Sequence, residues 1–256
     1  MASLVQGLID GQRRLSHAFD RLLPAEYRVD GRTDFDQTLV PAYIEPGFKV
    51  YDVGGGSNPF VTPEIKSKLK LVVIGLDFDE AELHAAPPGV YDATICADLG
   101  RYRGVEDADL VVCRSVLEHV QDCPAAIAGL ASMLKPGGRA LIFAPSRNAM
   151  FARLNLLLPE SLKRRLLFAL HPHKDDGHSG FAVFYHKCTP RDAADAANRS
   201  NLTVELQKLY FKSSYFNFFA PLYVAWRVWL LSFRALAERQ AAETFAMVVC
   251  KPTRTS

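Results

Sequence analysis

Several features that would settle a function class at once are missing from this chain. Its five cysteines, Cys96, Cys113, Cys123, Cys188 and Cys250, are odd in number and show no C-x-x-C spacing. They read as reduced thiols in a cytoplasmic setting, not as a disulfide framework. No run of about eighteen uninterrupted apolar residues occurs, so no membrane-crossing helix is expected. The N-terminus lacks a basic segment followed by a long apolar core, which argues against a secretory signal. Charge of one sign is also scarce: 30 Lys and Arg against 28 Asp and Glu leave a formal +2. That is too mild a balance for a chain that tracks nucleic acid phosphates.

What is present is an ordinary globular composition, 49% hydrophobic and 23% charged over 256 residues, long enough for one α/β domain with additions. The chain is organised around residues 49–64. A β-branched and aromatic run carrying Asp52 breaks at once into Gly54, Gly55 and Gly56, so a buried strand is followed by backbone that a ligand can touch. Ser57, Asn58 and Pro59 come next, and then Thr62, Pro63 and Glu64 supply an N-cap, a proline at the first helical position and an acidic first turn. A dinucleotide fingerprint fails on spacing, because Pro59 stands where the third glycine of G-x-G-x-x-G belongs.

The continuation narrows the reading. Residues 71–76 are an apolar run ending in Asp77, residues 91–96 a third strand leading to Asp98 and Leu99, and residues 109–113 a fourth leading to Arg114, Ser115 and the segment 116–120. Leu134, Lys135, Pro136, Gly137 and Gly138 then end a helix, with a left-handed glycine and a proline stop, and start a fifth strand over 140–143. In this order the motifs resemble the class I S-adenosylmethionine-dependent methyltransferases, over roughly residues 49–201 and the last strand. The resemblance implies a Rossmann-like α/β fold: seven strands, mostly parallel, with an antiparallel last strand, helices on both faces and two helical insertions.

It also implies S-adenosylmethionine as cofactor, bound by Asp52, Gly54, Gly55 and Gly56, by Asp77 on the ribose with Phe78 beside it, by Asp98 and Leu99 at the adenine, and by Ser115. Asn58 takes the place of the family's third glycine. A plainer role stays open for Asp77 and Asp98, as caps of the helix or turn after each strand.

Around this core, residues 1–48 read as an N-terminal helical cover: a helix over 2–23, a polar turn at 31–36 and a short helix at 35–44 before the first strand. Closing over the ligand and packing on the domain's side are both open for it. Residues 49–256 form the main domain, with helices expected at 58–69, 79–86, 123–134 and 189–201 and late strands at 202–211 and 244–251. Two insertions interrupt it. The first, 146–188, is a lid or substrate element whose early half is leucine-rich and basic and whose later half is histidine-rich. The second, 212–243, carries an aromatic amphipathic helix within 215–236, with Arg227, Arg234 and Glu238 expected on one stripe and Trp226, Trp229, Leu230 and Phe233 largely elsewhere. Packing on the sheet, a homodimer contact, a peripheral membrane contact and a pocket lining all fit that pattern.

The chemistry follows from the cofactor. A sulfonium methyl is already activated, so the protein has to align an acceptor in a dry pocket and, for a hydroxyl, remove a proton. His119 and His186 are the candidate bases. His171, His173, Asp175, Asp176 and His178 lack a framework that would fix a coordination shell, so no metal is expected. The absence of an N-P-P-Y or D-P-P-Y motif argues against nucleic acid bases as substrates. The expected function is therefore methyl transfer to a small or lipid-like acceptor, through oxygen. A catalytically silent adaptor of the same fold is the alternative.

Overall fold

The structure is a computed structural model that describes residues 2–157, 183–212 and 216–253, with side chains described from residue 6 onward and not at 237–239. Seven strands form one sheet: β1 (Lys49–Val53), β2 (Val72–Asp77), β3 (Ala93–Cys96), β4 (Ala108–Arg114), β5 (Leu134–Pro145), β6 (Thr203–Tyr210) and β7 (Thr244–Cys250). Their order is β3-β2-β1-β4-β5-β7-β6. The first five are parallel to one another, and β7 runs antiparallel between β5 and β6. This is the expected sheet, and the strand order reverses between β1 and β4. At such a switch point the loops leave in opposite directions and open a crevice beyond the strand ends.

The side-chain period of two sends alternate residues into two cores. Val111 and Cys113 of β4 join Leu117, Ile127, Leu130 and Ala197 in one, while Leu110 and Val112 join Phe35, Leu39, Val61 and Phe143 in the other. The first core is covered by α6 (Cys123–Met133) and α8 (Pro190–Arg199), the second by N-terminal helical turns and the segment before α4 (Pro63–Leu69). Capping chemistry sets the helix starts. Thr62 accepts from Ile65 N–H, Asp122 from Ala125 N–H and Thr189 from Asp192 N–H, each followed by a proline in the first turn. Asp79 likewise caps α5 (Glu80–His84).

The N-terminal segment departs from expectation. After α1 (Ala2–Asp20), the polar stretch 31–36 is helical, not a turn, because Asp30 accepts from Thr33 N–H at 2.9 Å and opens α2 (Gly31–Asp34). The helix continues through a π turn (Phe35–Leu39) into α3 (Val40–Tyr43). Pro41 has no N–H to give Gln37 and its ring crowds that carbonyl, so the ladder widens locally, with Val40 N–H reaching Phe35 carbonyl.

Two further corrections concern loops. The helix expected from 58 starts only at Pro63, because the intervening residues wrap Asp52. The Lys135 to Gly138 turn is not a helix cap: α6 ends at Met133 and the chain goes straight into β5. Asp109 alone faces residues 135–138 as a bulge, where Gly137 (φ 82°) donates to Lys251 carbonyl at 2.8 Å and Lys135 pairs with Asp109.

The first insertion contains α7 (Met150–Leu157), and the expected cluster His171, His173, Asp175, Asp176 and His178 lies outside the described residues. The second forms α9 (Ala220–Ala237), whose orientation corrects the expected stripe. Arg227 is buried with Tyr223, Trp226 and Leu230, its guanidinium donating to the carbonyls of Tyr27 and Phe211 and pairing with Asp20 at 3.0 Å. Arg234 pairs with Glu26 at 2.7 Å and lies over Tyr27 and Phe211. A guanidinium can be buried where carbonyls and a carboxylate surround it, and spacing alone cannot see those partners.

Candidate active site

The site is built at the carboxyl ends of β1, β2 and β4. Gly54, leaving β1 with φ 71°, donates its N–H to Leu76 carbonyl at 2.7 Å. A Cβ there would lie 2.1 Å from Val116 Cγ2, and one on Gly55 would lie 2.2 Å from Asp52 Oδ2. Both positions are therefore closed to any side chain. Gly56, at φ 44°, lies over Asp77 and Glu82, with its missing Cβ 3.1 Å from Asp77 Oδ2.

Asp52 is 2% exposed. Its Oδ2 accepts from Phe60 N–H at 3.1 Å and from Tyr91 Oη at 3.0 Å, and Tyr91 Oη also reaches Gly56 carbonyl at 3.3 Å. Burial pushes its carboxyl up to about 6 against the opposing pull of those two donors. Asp52 is thus a strut beneath the glycine turn, so its side chain does not line the crevice. The third strand starts at Ala93, later than expected, since Tyr91 is used for this bond.

Asp77 closes β2 and is nearly buried, with Oδ1 accepting from Asp79 N–H at 3.1 Å; burial raises its carboxyl above the ordinary range, with Glu82 and Asp79 adding to the rise. Glu82 accepts from Ser57 Oγ at 2.6 Å and so ties α5 to the glycine turn. Phe78 stands exposed beside Asp77. Asp98 is exposed and caps its own loop, accepting from Gly100 N–H at 2.8 Å with Arg101 at 3.7 Å. Leu99 is buried in the core next to Gly129 of α6, where a Cβ would come within 2.4 Å of Leu99 carbonyl. Its side chain therefore packs inward and is not available to lie against a ring in the crevice.

On the β4 side, Ser115 has φ 59° and donates its N–H to Phe143 carbonyl at 2.8 Å. Arg114 Nη1 reaches both oxygens of Asp36 at 3.0 Å, and its Nη2 donates to Asn58 carbonyl at 2.8 Å. Arg32 holds the other side of Asp36 at 2.9 Å and reaches Ser115 Oγ at 3.5 Å. Asp34 accepts from Tyr210 Oη at 2.6 Å and Lys208 Nζ at 2.9 Å. The cover is therefore pinned to β4, to the glycine turn and to β6, and Phe35 is fully buried against Phe143. This segment therefore packs on the domain and carries Arg32 to Ser115 at the carboxyl end of β4.

Glu118 is buried, its Oε2 has no donor among the described residues, and burial pushes its carboxyl up to about 8, with Arg32 pulling the other way. His119 Nε2 lies 3.9 Å from Glu118 Oε1. Phe184 and Tyr185 N–H donate to Glu118 carbonyl at 2.8 and 3.1 Å, which brings the exposed His186, in a turn between Tyr185 and Lys187, to the same loop. Both expected histidines thus belong to one corner of the molecule.

Sequence reasoning passed over Arg32, Asp36, Arg114, Tyr91, Glu82 and Glu118. An arginine ending a buried parallel strand was the one available signal, at Arg114. Arg32 and Asp36 stand at i, i+4, but their tie to the site, like those of Tyr91 and Glu82, rests on contacts across 25 residues or more.

A doubly wound sheet with a glycine turn and an acidic second-strand end at its switch point defines a nucleoside-cofactor α/β protein. A family model described as a methyltransferase domain matches residues 9–206, and the chain belongs to the class I S-adenosylmethionine-dependent methyltransferase family. It is 32% identical over 134 residues to a ubiquinone biosynthesis O-methyltransferase of Shewanella sp. (strain ANA-3), a match covering 50% of this chain and 56% of that protein. The chain thus spans about half the length of the curated relatives it matches. Among solved structures it resembles an S-adenosylmethionine-dependent methyltransferase from Mesorhizobium loti, with TM-score 0.52 and 16% identity over 83% of this chain and 95% of the other. It also resembles a Haemonchus contortus phosphoethanolamine N-methyltransferase 2 in complex with S-adenosyl-L-methionine, with TM-score 0.53 and 15% identity over 93% of this chain and 57% of that one. At such identities the likeness is one of fold.

The residues fit this cofactor. The glycine turn leaves bare main chain against Asp77, where a Cβ on Gly56 would come 3.1 Å from Asp77 Oδ2, Asp77 offers a carboxylate at the second strand end, and Arg32 offers a cation beside Ser115.

Proposed function

We propose that this chain moves a methyl group from S-adenosylmethionine to the oxygen of a small, lipid-like or phenolic acceptor. The observation that carries the reading is the meeting of the glycine turn, Asp77 and the Ser115 to His119 loop at one switch point. Two relatives of the chain bear the name ubiquinone biosynthesis O-methyltransferase, which supports an oxygen acceptor.

When bound, S-adenosylmethionine supplies an already activated methyl. The chain's own work is then alignment, exclusion of water and handling of one proton. Asp77 accepts from ribose hydroxyls, and the main chain of Gly54 to Gly56 admits the ligand's tail. Arg32, on the roof of the crevice, offers a partner to a carboxylate. The helical turns over 31–43, which hold Arg32 beside Ser115, help to exclude water. His119 is the group that takes the acceptor's proton, with His186 the second candidate. Burial raises the neighbouring Glu118 carboxyl to about 8, and its Oε1 lies 3.9 Å from His119 Nε2.

Calorimetric titration with S-adenosylhomocysteine and with NADH tests the cofactor half. The first should bind and the second should not, with Asp77→Ala weakening the former roughly ten- to a hundred-fold, as the loss of a charged hydrogen bond predicts. Transfer of labelled methyl to phenolic and lipid hydroxyls tests the rest. Cofactor binding without transfer to any of them would favour the adaptor reading.

A further inference from the structure

A glycine inside a buried parallel strand gives up side-chain packing and often marks the close approach of another group. Gly75 stands in that position in β2, opposite Asp52 of β1 in the parallel register. The group that approaches it is Tyr91: a Cβ at Gly75 would lie 2.8 Å from the Cδ2 and the Cε2 of that ring. Tyr91, from the segment before β3, therefore lays its ring across β2 and carries its hydroxyl over to β1. A Cβ on Gly55 would lie 2.6 Å from Tyr91 Oη, so the hydroxyl ends directly against the glycine turn.

There it meets two acceptors, Asp52 Oδ2 at 3.0 Å and Gly56 carbonyl at 3.3 Å. A phenol has one proton to give, and an ionised carboxylate is the stronger claimant. The same Oδ2 accepts from Phe60 N–H at 3.1 Å, while Asn58 N–H donates to Gly55 carbonyl at 2.8 Å within the loop. Residues 54–60 are thus wound around one carboxylate oxygen. Hydrogen bonds to a charged oxygen are roughly twice as strong as those to a neutral one, so the hold on this loop depends on the charge of Asp52.

That charge is contested. Burial opposes it most; Phe60 N–H, the Tyr91 hydroxyl and Arg114 of β4 favour it, and Asp77 at the end of β2 opposes it. Arg114 is shared with Asp36 of the cover, Cys113 of β4 faces Asp52 as a thiol whose pKa burial raises, and Glu82 of α5 stands beyond Asp77. The balance leaves the Asp52 carboxyl at about 6, ionised at neutral pH by a margin that one hydrogen bond to a carboxylate is worth, about one pH unit. Burial and then the Asp52 charge push the Tyr91 phenol up, so its proton stays in place to be donated.

We propose that Tyr91 is a positioning residue for the cofactor: reaching over the bare Gly75, its hydroxyl keeps Asp52 ionised and so holds residues 54–60 in the form that receives S-adenosylmethionine. It acts through Asp52 and the Gly56 carbonyl, without itself touching the ligand. The role rests on the cofactor reading above and extends it to a residue outside the strand-end motifs.

Calorimetric titration of the full chain with S-adenosylhomocysteine across pH tests it. The ionised form of Asp52 is the binding one, so wild-type affinity should be level in alkaline solution and fall as pH drops through about 6. Tyr91→Phe keeps the ring on Gly75 and loses only the hydroxyl; its fall should begin about one pH unit higher. The variant should then bind up to about ten-fold more weakly than wild type in acid and approach wild-type affinity in alkali. In an Asp52→Asn background, where any remaining pH dependence belongs to Asp77 and its neighbours, Tyr91→Phe should leave the profile unmoved. Gly75→Ala, which displaces the ring with its hydroxyl intact, should shift the profile as Tyr91→Phe does and serves in its place if a melting curve shows that variant unfolded. A fall at the same pH in wild type and variant, an equal loss of affinity at every pH, or the same shift in the Asp52→Asn background overturns the inference. No binding of S-adenosylhomocysteine by the wild type at any pH would instead count against the cofactor reading.

Discussion

Asp77 and Gly55 show how differently two residues of one site relate to stability. Asp77 is held nearly buried with a raised pKa, so its ionised form opposes folding at neutral pH, and the proposed function gives it the ribose. Asp77→Ala should therefore lose cofactor affinity without losing thermal stability, which calorimetric titration and a melting curve on one sample would check. Gly55→Ala should lose both. Its methyl would meet the Asp52 carboxylate at 2.2 Å, and overpacking at such a site costs about 1 to 3 kcal/mol. A melting temperature equal to wild type for Gly55→Ala would refute that account of the turn.

The cover and the β4 end are joined through Arg114, whose guanidinium spans Asp36 on one element and the Asn58 carbonyl on another. Arg114 is largely shielded while Asp36 is about a third exposed, so the pair falls between the screened surface case and the fully buried one. A double-mutant cycle of Arg114→Ala and Asp36→Ala should return a coupling of about 1 kcal/mol. Loss of affinity for S-adenosylhomocysteine should accompany it, because the same contact fixes the loop after the glycine turn. Additive single effects would mean that Phe35 packing and the Arg32 and Asp34 contacts hold the two elements together without this pair.

At the level of the whole molecule, buried carboxyls shape the pH response, the raised Asp77 among them. Asp52, Glu243 and Glu118 have folded values of about 6, 7 and 8, each raised chiefly by burial. In every case the unfolded chain releases the proton at lower pH than the folded one. Their contribution is therefore fully favourable below the unfolded values and declines as pH rises through the folded ones, with a slope of up to about 1.4 kcal/mol per pH unit for each group. Asp34, Asp92 and Glu205 have lowered values, so their stabilisation is lost in the opposite direction, as acid protonates them. Stability should peak in mildly acidic solution and fall toward alkaline pH. Glu243→Gln should flatten the fall between about pH 5 and pH 7, and scanning fluorimetry across buffers reads both. An unchanged profile in the variant would remove Glu243 from the account.

The order of strands and helices was legible because its causes are local. Short apolar runs mark the buried strands, capping threonines and aspartates precede prolines, and three successive glycines can only mark a turn. Asp77 at the second strand end and the loop from Ser115 to His119 were legible for the same reason. Tertiary structure alone decided how the site is held. The Tyr91 to Asp52 bond, the Arg114 to Asp36 latch and the inward turn of Leu99 join residues far apart in the chain or depend on which helix lies above. It alone decided which side of α9 faces out. Helical spacing gives the relative phase of side chains but not the absolute direction of the core, and the buried partners of Arg227 come from α1, from residue 27 and from the end of β6. A charge normally marks the solvent side. Here two carbonyls and Asp20 reverse that preference, and only folding brings them together.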